Sequence, residues 1–346
     1  MAINVGIIGA NGYSGLELIR LLSHHPHVKV ERLMAHSSVG MTMDHLAPHL
    51  KTVCDLPLES VSVQNAEQLD CLFFATPSGV SGQWLPEFAD LGITCIDLSG
   101  DFRIKNAPLY EKWYKMPPPD QKWLKQAVYG LPEWNEKNIA KAQVIANPGC
   151  YPTAALLGLM PALQNGWIDP DNIVIDGKSG VSGAGRKPSL TTHFGEVNES
   201  VSAYKVGHHQ HIPEIEQMIE EWIGRPVAIS FTTHLIPMTR GLMCTIYAPL
   251  AEEVRTETVI EAYQAFYANH PFVRISDEGT FPSTKQVYGS NHCAIGLYSD
   301  ERSNRLTIVS VIDNVVKGAA GQAIQNMNLI YGWEQTTGLE LSPLFP

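Results

Sequence analysis

No apolar run in these 346 residues reaches the roughly 20 that a membrane-spanning helix needs, so no spanning segment is expected. Basic residues are scarce. There are 24 Lys and Arg against 35 Asp and Glu, a formal charge of -11, which argues against nucleic acid or anionic membrane as a main partner. The six cysteines, Cys54, Cys71, Cys95, Cys150, Cys244 and Cys293, form no CxxC pair, and four lie in apolar runs. That pattern excludes a disulfide framework and fits a reducing compartment. Met1-Ala2-Ile3-Asn4 runs straight into a strand with no leader pattern, so a cytoplasmic protein is expected. Internal repeats and low-complexity stretches are missing too. What is present is a 44% hydrophobic chain, enough for a sizeable core in two domains or one large one.

The chain opens on an apolar run, Ile3 to Ile8, which predicts a buried parallel strand. Gly9-Ala10-Asn11-Gly12-Tyr13-Ser14-Gly15 follows, then an amphipathic helix from about Leu16 to Leu22. Strand, glycine turn and helix in that order form a dinucleotide-binding start. The glycines admit a pyrophosphate, and the helix N-terminus supplies N–H donors and positive charge. The spacing is G-x-x-G-x-x-G, not the commoner G-x-G-x-x-G. Gly9, Asn11, Gly12, Tyr13, Ser14 and Gly15 are the candidate cofactor ligands.

A second strand, Val28 to Ala35, ends in His36-Ser37-Ser38. An acidic residue there would bind a ribose 2′-hydroxyl and repel a 2′-phosphate; hydroxyls permit the phosphate. The cofactor expected is therefore NADP(H), with Ser37 and Ser38 as ligands. Leu69 to Ala75 is a further strand, and its turn adds Thr76 and Pro77. Thr94 to Leu98 ends near Arg103, a candidate for a carboxylate or phosphate. Asn106 to Trp123, rich in Pro, Lys and aromatics, reads as a surface excursion, and Val128 to Glu133 as a loop. Gln143 to Ala146 is the last strand of this α/β unit.

That strand feeds Asn147-Pro148-Gly149-Cys150-Tyr151-Pro152, with a helix read from Pro152 to Met160. A cysteine at a helix start faces unpaired N–H groups and the positive end of the dipole, which favour the thiolate. Cys150 is the candidate nucleophile. Beyond it the texture changes. Asn172 to Asp176 reads as a strand and Gly177 to Gly185 as a glycine- and serine-rich loop leading to Arg186 and Lys187. Val227 to Leu235, Leu242 to Ala248 and Leu306 to Ile312 read as strands of a largely antiparallel sheet in an α+β domain. Helices are expected at Pro213 to Trp222, at Glu252 to Asn269 and from about Asn314 to Tyr331. The last has Gly318, Ala319, Ala320 and Gly321 near its start. The fold class is thus α/β: a Rossmann-type domain over 1–148 and a catalytic and oligomerisation domain over 149–313. The C-terminal helical region, about 314–346, is expected to pack back on the first domain.

A thiol nucleophile needs a base, and Gly207-His208-His209-Gln210-His211-Ile212-Pro213-Glu214 offers one. In an extended segment His209 and His211 would share a face. No Cys pair or spaced carboxylate completes a metal set, so no metal is expected. Glu214 falls in a first helical turn, to cap the helix or orient a histidine.

Residues Ile145 to Ala154, followed by Gly158-Leu159-Met160-Pro161, resemble the signature of the N-acetyl-gamma-glutamyl-phosphate reductase family of arginine biosynthesis. The match extends through Gly9 to Gly15, Asp97 to Arg103, Tyr129 to Glu133, Gly177 to Arg186, the His209/His211 segment and His234 to Gly241. The resemblance implies an NADP-binding domain joined to a catalytic domain like that of aspartate-semialdehyde dehydrogenase, in a homodimer or homotetramer. It also implies a thioester on Cys150, formed from an acyl phosphate and reduced by NADPH, with the base at His209 or His211 left open between the two. Candidate contacts on the nicotinamide side are Ser182, Gly183 and Asn314. Those for the substrate are Arg103, Asn147, Arg186, Lys187, Arg240 and Glu214, with Arg103, Arg186, Lys187 and Arg240 for its carboxylate and phosphate. Where many relatives carry Arg after the serine ending the second strand, this chain has Ser38. Related semialdehyde dehydrogenases with aspartyl or amino-adipyl substrates, or a non-catalytic nucleotide sensor, are the competing readings.

Overall fold

The computed structural model describes residues 2–345, which form two compact units. The first contains the chain up to Pro148 together with Ala319–Glu340; the second contains Gly149–Gly318 and the residues from Leu341 onward.

The first unit is built on a sheet of seven parallel strands: β1 (Ile3–Ile8), β2 (Val28–Met34), β3 (Leu58–Glu59), β4 (Cys71–Phe74), β5 (Thr94–Asp97), β6 (Val128–Tyr129) and β7 (Val144–Ala146). Their order is β3-β2-β1-β4-β5-β7-β6. The short apolar runs are buried because helices cover such sheets on both faces; Cys71, Leu72, Phe73 and Phe74 have no exposed surface. The chain winds outward from β1 to β3 and returns at β4, so the topological switch lies between β1 and β4, where doubly wound sheets bind ligands.

Several local expectations need correction. The first helix begins at Tyr13, not Leu16, and runs to Leu22. The stretch read as a surface excursion holds two helices, Ala107–Tyr114 and Gln121–Gln126. Asn106 Oδ1 caps the first through Leu109 N–H, and Asp120 Oδ1 caps the second through Lys122 and Trp123 N–H. Tyr110, Trp123 and Leu124 from this stretch are buried. Val128–Tyr129 is an edge strand on β7, and Pro132 opens a helix at a position where its missing N–H costs nothing. Near the C-terminus there is no single long helix. A π-helical turn, Val316–Ala320, precedes the Gly321–Ile330 helix. The latter packs on Gly130, whose carbonyl accepts from Gln322 Nε2 at 2.8 Å and Asn326 Nδ2 at 2.9 Å.

The second unit carries a mixed, mostly antiparallel sheet of β8 (Val174–Gly180), β9 (Ser202–Tyr204), β10 (Ser230–Ile236), β11 (Leu242–Pro249), β12 (Val273–Ile275), β13 (Cys293–Asp300) and β14 (Arg305–Ile312). The order is β12-β13-β14-β11-β8-β10-β9; β8–β10 and β12–β13 pair in parallel and the rest antiparallel. The stretch Gly177–Gly180, expected as loop, is strand. A Cβ on Gly177 would lie 2.5 Å from Tyr151 Cε1, so glycine here makes room for a ring. Against the sheet lies the Cys150–Gln164 helix, longer at both ends than its sequence suggested. It is apolar all round, as a core helix must be. Leu156, Leu157 and Leu159 are fully buried, each contributing about 1.5–3 kcal/mol. The helices His211–Ile223 and Thr256–Phe266 complete this layer. No described helix is long and apolar enough to cross a membrane.

Candidate active site

In the first unit, the glycine turn sits at the carboxyl end of β1. Gly9 has φ 83°, and a Cβ there would collide with the Ala75 carbonyl. A Cβ on Gly15 would lie 2.6 Å from Ala10 Cα. Backbone therefore closes in where side chains would stand, leaving the Tyr13–Leu22 helix mouth open. Its N-cap, Gly12, provides no side-chain bond, and its first turn holds no acidic residue. Such a terminus favours an anion, and these residues fit a dinucleotide pyrophosphate. Asn11 Nδ2 donates to Ser37 Oγ at 3.1 Å, tying the β1 turn to the end of β2. Ser38 stands in left-handed backbone, φ 65°.

The neighbouring Val80–Asp90 helix differs. Its N-terminal N–H groups are occupied by a carboxylate that sequence reasoning missed. Asp101 accepts from Gly79 N at 2.8 Å and Gly82 N at 2.9 Å, and from Tyr110 Oη at 2.9 Å. Burial first, then the Asp97 charge, push the Asp101 pKa upward. Thr76 Oγ1 bonds Ser81 Oγ at 2.9 Å, so the Thr76-Pro77 turn is fastened to the same helix.

Arg103 and Asn147 are both buried in this unit and bonded to each other. Arg103 Nε donates to Asn147 O at 2.7 Å and Nη2 to Leu98 O at 2.9 Å. Asn147 Nδ2 donates to Ala319 O at 3.2 Å, and its Oδ1 accepts from Asn326 at 3.0 Å. These groups hold the ends of β5 and β7.

In the second unit, Cys150 is the first residue of its helix, half-buried, over an N-terminus with no side-chain cap and no acidic residue in the first turn. Cys71, Cys95, Cys244 and Cys293 are fully buried. Burial pushes the thiols of Cys71, Cys95, Cys244 and half-buried Cys54 up, away from the reactive form.

Three neighbours fix the nucleophile. Glu214, fully buried, accepts the Gly149 N–H on Oε1 at 2.9 Å. His211 packs on Gly149, where a Cβ would lie 2.8 Å from its Cδ2 and Cε1 and closer still to Nε2. A Cβ on Gly318 would lie 2.7 Å from Cys150 Cβ, so the small residue noted in the sequence leaves room for the cysteine.

The two histidines do not lie in an extended segment, as expected: Gln210 is in αR backbone and His211 begins the helix. Their rings nonetheless meet, with centroids 4.6 Å apart. His209 is enclosed by Tyr151, Tyr204 and Phe231, at ring distances of 5.6, 5.8 and 5.5 Å. Burial, then the nearby Lys205 ammonium, lower its pKa to about 3. The structure thus brings Cys150, His209, His211 and Glu214 together.

Asn314 joins Ser182 to the Gly241 turn, donating to Ser182 Oγ at 2.9 Å and accepting from Gly241 N at 2.8 Å. Gly183 adjoins it; a Cβ there would lie 3.6 Å from Asn314 Nδ2. Arg240 Nη1 is 3.5 Å from Asp313 Oδ2. Arg186 and Lys187 are exposed.

Two family models match the chain: semialdehyde dehydrogenase, NAD binding domain, over residues 4–142, and semialdehyde dehydrogenase, dimerisation domain, over 150–314. Among curated proteins, the N-acetyl-gamma-glutamyl-phosphate reductase of Geobacillus sp. (strain WCH70) is 54% identical over 99% of this chain and 100% of its own length. That of Shouchella clausii is 51% identical over 99% of each. Among solved structures, aspartate semialdehyde dehydrogenase II from Vibrio cholerae matches with TM-score 0.74 at 19% identity, covering 96% of this chain and 99% of its own. The Candida albicans aspartate semialdehyde dehydrogenase with NADP matches at 0.72 and 15%, covering 96% and 99%. At such identities the two structures speak for the fold alone.

Proposed function

The chain belongs to the N-acetyl-gamma-glutamyl-phosphate reductases, and on that premise we propose that Cys150 is its nucleophile and His211 its proton carrier. It is an oxidoreductase of arginine biosynthesis that reduces N-acetyl-gamma-glutamyl phosphate to N-acetylglutamate 5-semialdehyde and phosphate. The related readings, with an aspartyl or amino-adipyl substrate, are not favoured. The observation that carries the residue assignment is the packing of His211 Nε2 on Gly149, the residue before the cysteine.

The Cys150 thiolate attacks the acyl carbon, the bond to phosphate oxygen breaks, and a thioester remains on the enzyme. Bound NADPH supplies the hydride that reduces this acyl group. Collapse of the hemithioacetal then reforms the carbonyl, breaks the C–S bond and frees the thiolate. His211 takes the thiol proton before attack and returns it afterwards. Backbone N–H groups in the first turn of the Cys150 helix lack intrahelical acceptors and steady the oxyanion. Arg240, Arg186 and Lys187 serve the substrate's carboxylate and phosphate, while Arg103 and Asn147 keep the strand ends in place.

Gly9, Asn11, Gly12, Tyr13, Ser14 and Gly15 hold the pyrophosphate, with Thr76 and Pro77 beside them. Ser182, Gly183 and Asn314 serve the nicotinamide. NADP is preferred over NAD because the end of β2 offers Ser37 and Ser38 and no carboxylate. The dimerisation-domain match supports a homodimer or homotetramer. The family's place in arginine biosynthesis fits the cytoplasm.

The test is a mass measurement after acyl phosphate is added without NADPH. Wild type should gain the acyl group. Cys150→Ala should gain nothing and turn nothing over, yet still bind NADPH. A Cys150→Ala variant at full rate would overturn the nucleophile assignment.

A further inference from the structure

We infer that His209 is a positioning residue, a neutral imidazole whose Nδ1 lone pair and ring hold His211 in its working orientation. This rests on the reading of His211 as proton carrier. The two histidines, two residues apart and alike in the sequence, hold different places in the structure.

His209 Nδ1 accepts the backbone N–H of His211 at 3.2 Å. That N–H belongs to the first residue of a helix whose N-cap, Gln210, makes no side-chain capping bond, its Oε1 instead accepting from Lys205 Nζ at 2.8 Å, so His209 meets part of the capping need. An accepting Nδ1 places the neutral ring's proton on Nε2. Protonating Nδ1 would set one donor against another. The ring is 4% exposed, and aromatic side chains of Tyr151, Tyr204 and Phe231 enclose it. Two hydroxyls among these stay protonated: burial pushes Tyr204 up to about 12 and raises Tyr151 as well. A nearby cation, Lys205, disfavours a second charge, consistent with a histidine pKa of about 3. With its Nδ1 already engaged by the His211 N–H and its protonation disfavoured by burial, His209 is poorly suited to cycle a proton. It can fix the backbone and ring of its neighbour, 4.6 Å away, which packs on Gly149.

The experiment compares His209→Asn, His209→Phe and His211→Asn in the full-length enzyme, using steady-state turnover, its pH profile and thermal melting. The Asn Oδ1 takes the acceptor's place, so His209→Asn should keep kcat within about threefold of wild type. His209→Phe keeps an aromatic ring but loses the acceptor. Its kcat should fall about 100-fold, a misplacement-sized loss, with KM changed less than about threefold. The acid limb of its kcat profile should also move. His209→Leu carries the same expectation should the phenyl variant fail to fold. Wild-type kcat and pH profile in the folded Phe or Leu variant would overturn the positioning role. So would a loss in His209→Asn as deep as that in His211→Asn, which would make His209 itself the proton carrier. Full turnover in His211→Asn would instead overturn the reading of His211 on which the inference stands.

Discussion

Glu214 Oε1 accepts the backbone N–H of Gly149 at 2.9 Å, so one helix carries both His211 and the carboxylate that fixes the residue before Cys150. Replacing Glu214 by Ala strands that buried N–H. A stability loss of about 1–3 kcal/mol is expected from the missing acceptor. Turnover should fall while dinucleotide binding, which we propose is anchored at the Gly9–Gly15 turn, stays. Glu214→Gln keeps an acceptor and should retain most of the stability. Urea unfolding of both variants checks the difference; equal losses would point to the charge instead of the hydrogen bond.

Gly149 admits no side chain without moving His211. Gly149→Ala should therefore fold, since its φ of -69° suits alanine, yet lose about 100-fold in kcat through misplacement of the imidazole. Unchanged far-ultraviolet dichroism with wild-type kcat would show that the contact is not critical.

Ser38 sits in left-handed backbone, which Asp tolerates better than most residues. Ser38→Asp should raise the KM for NADPH at least about tenfold by repelling the 2′-phosphate, and leave the KM for NADH nearly unchanged. Equal effects on the two cofactors would mean that position 38 does not face the phosphate.

Buried His209 and half-buried His292 predict acid sensitivity. Burial lowers His209 to about 3 and His292 to about 4, each from an ordinary 6.5. A depressed imidazole stays neutral in the folded chain while the unfolded chain takes up the proton. Its stabilising share is therefore present above about pH 6.5 and is lost as pH falls toward the folded value. For each such group the folded-to-unfolded ratio drops by up to about tenfold per pH unit in that window. His209→Phe should flatten the dependence of the urea midpoint between about pH 6 and 4. A slope as steep as that of wild type would contradict the neutral-ring assignment.

What could be read in advance was local. The glycine turn after β1 and the Pro-Gly turn before Cys150 declare themselves within a few residues, because backbone geometry and helix termini demand those types. The two-residue strands Leu58–Glu59 and Val128–Tyr129 were hidden, since pairing alone defines so short a segment. The helices within residues 106–126 were masked by proline and aromatics, although Asn106 and Asp120 were their caps. Long-range partners left no trace in spacing. Asp101 at Gly79, Glu214 at Gly149 and Asn326 at Gly130 meet across 22, 65 and 196 positions. The histidine geometry was missed because the helix begins at His211, two residues before the expected Pro213, so the pair is not in extended chain.

The uneven burial of the six cysteine sulfurs has a practical corollary. A mild electrophile added to the native enzyme meets a helix-mouth sulfur at Cys150, while the four fully buried ones are shielded and burial disfavours the thiolate of half-buried Cys54. The stoichiometry of rapid labelling therefore counts competent molecules in a preparation without any substrate.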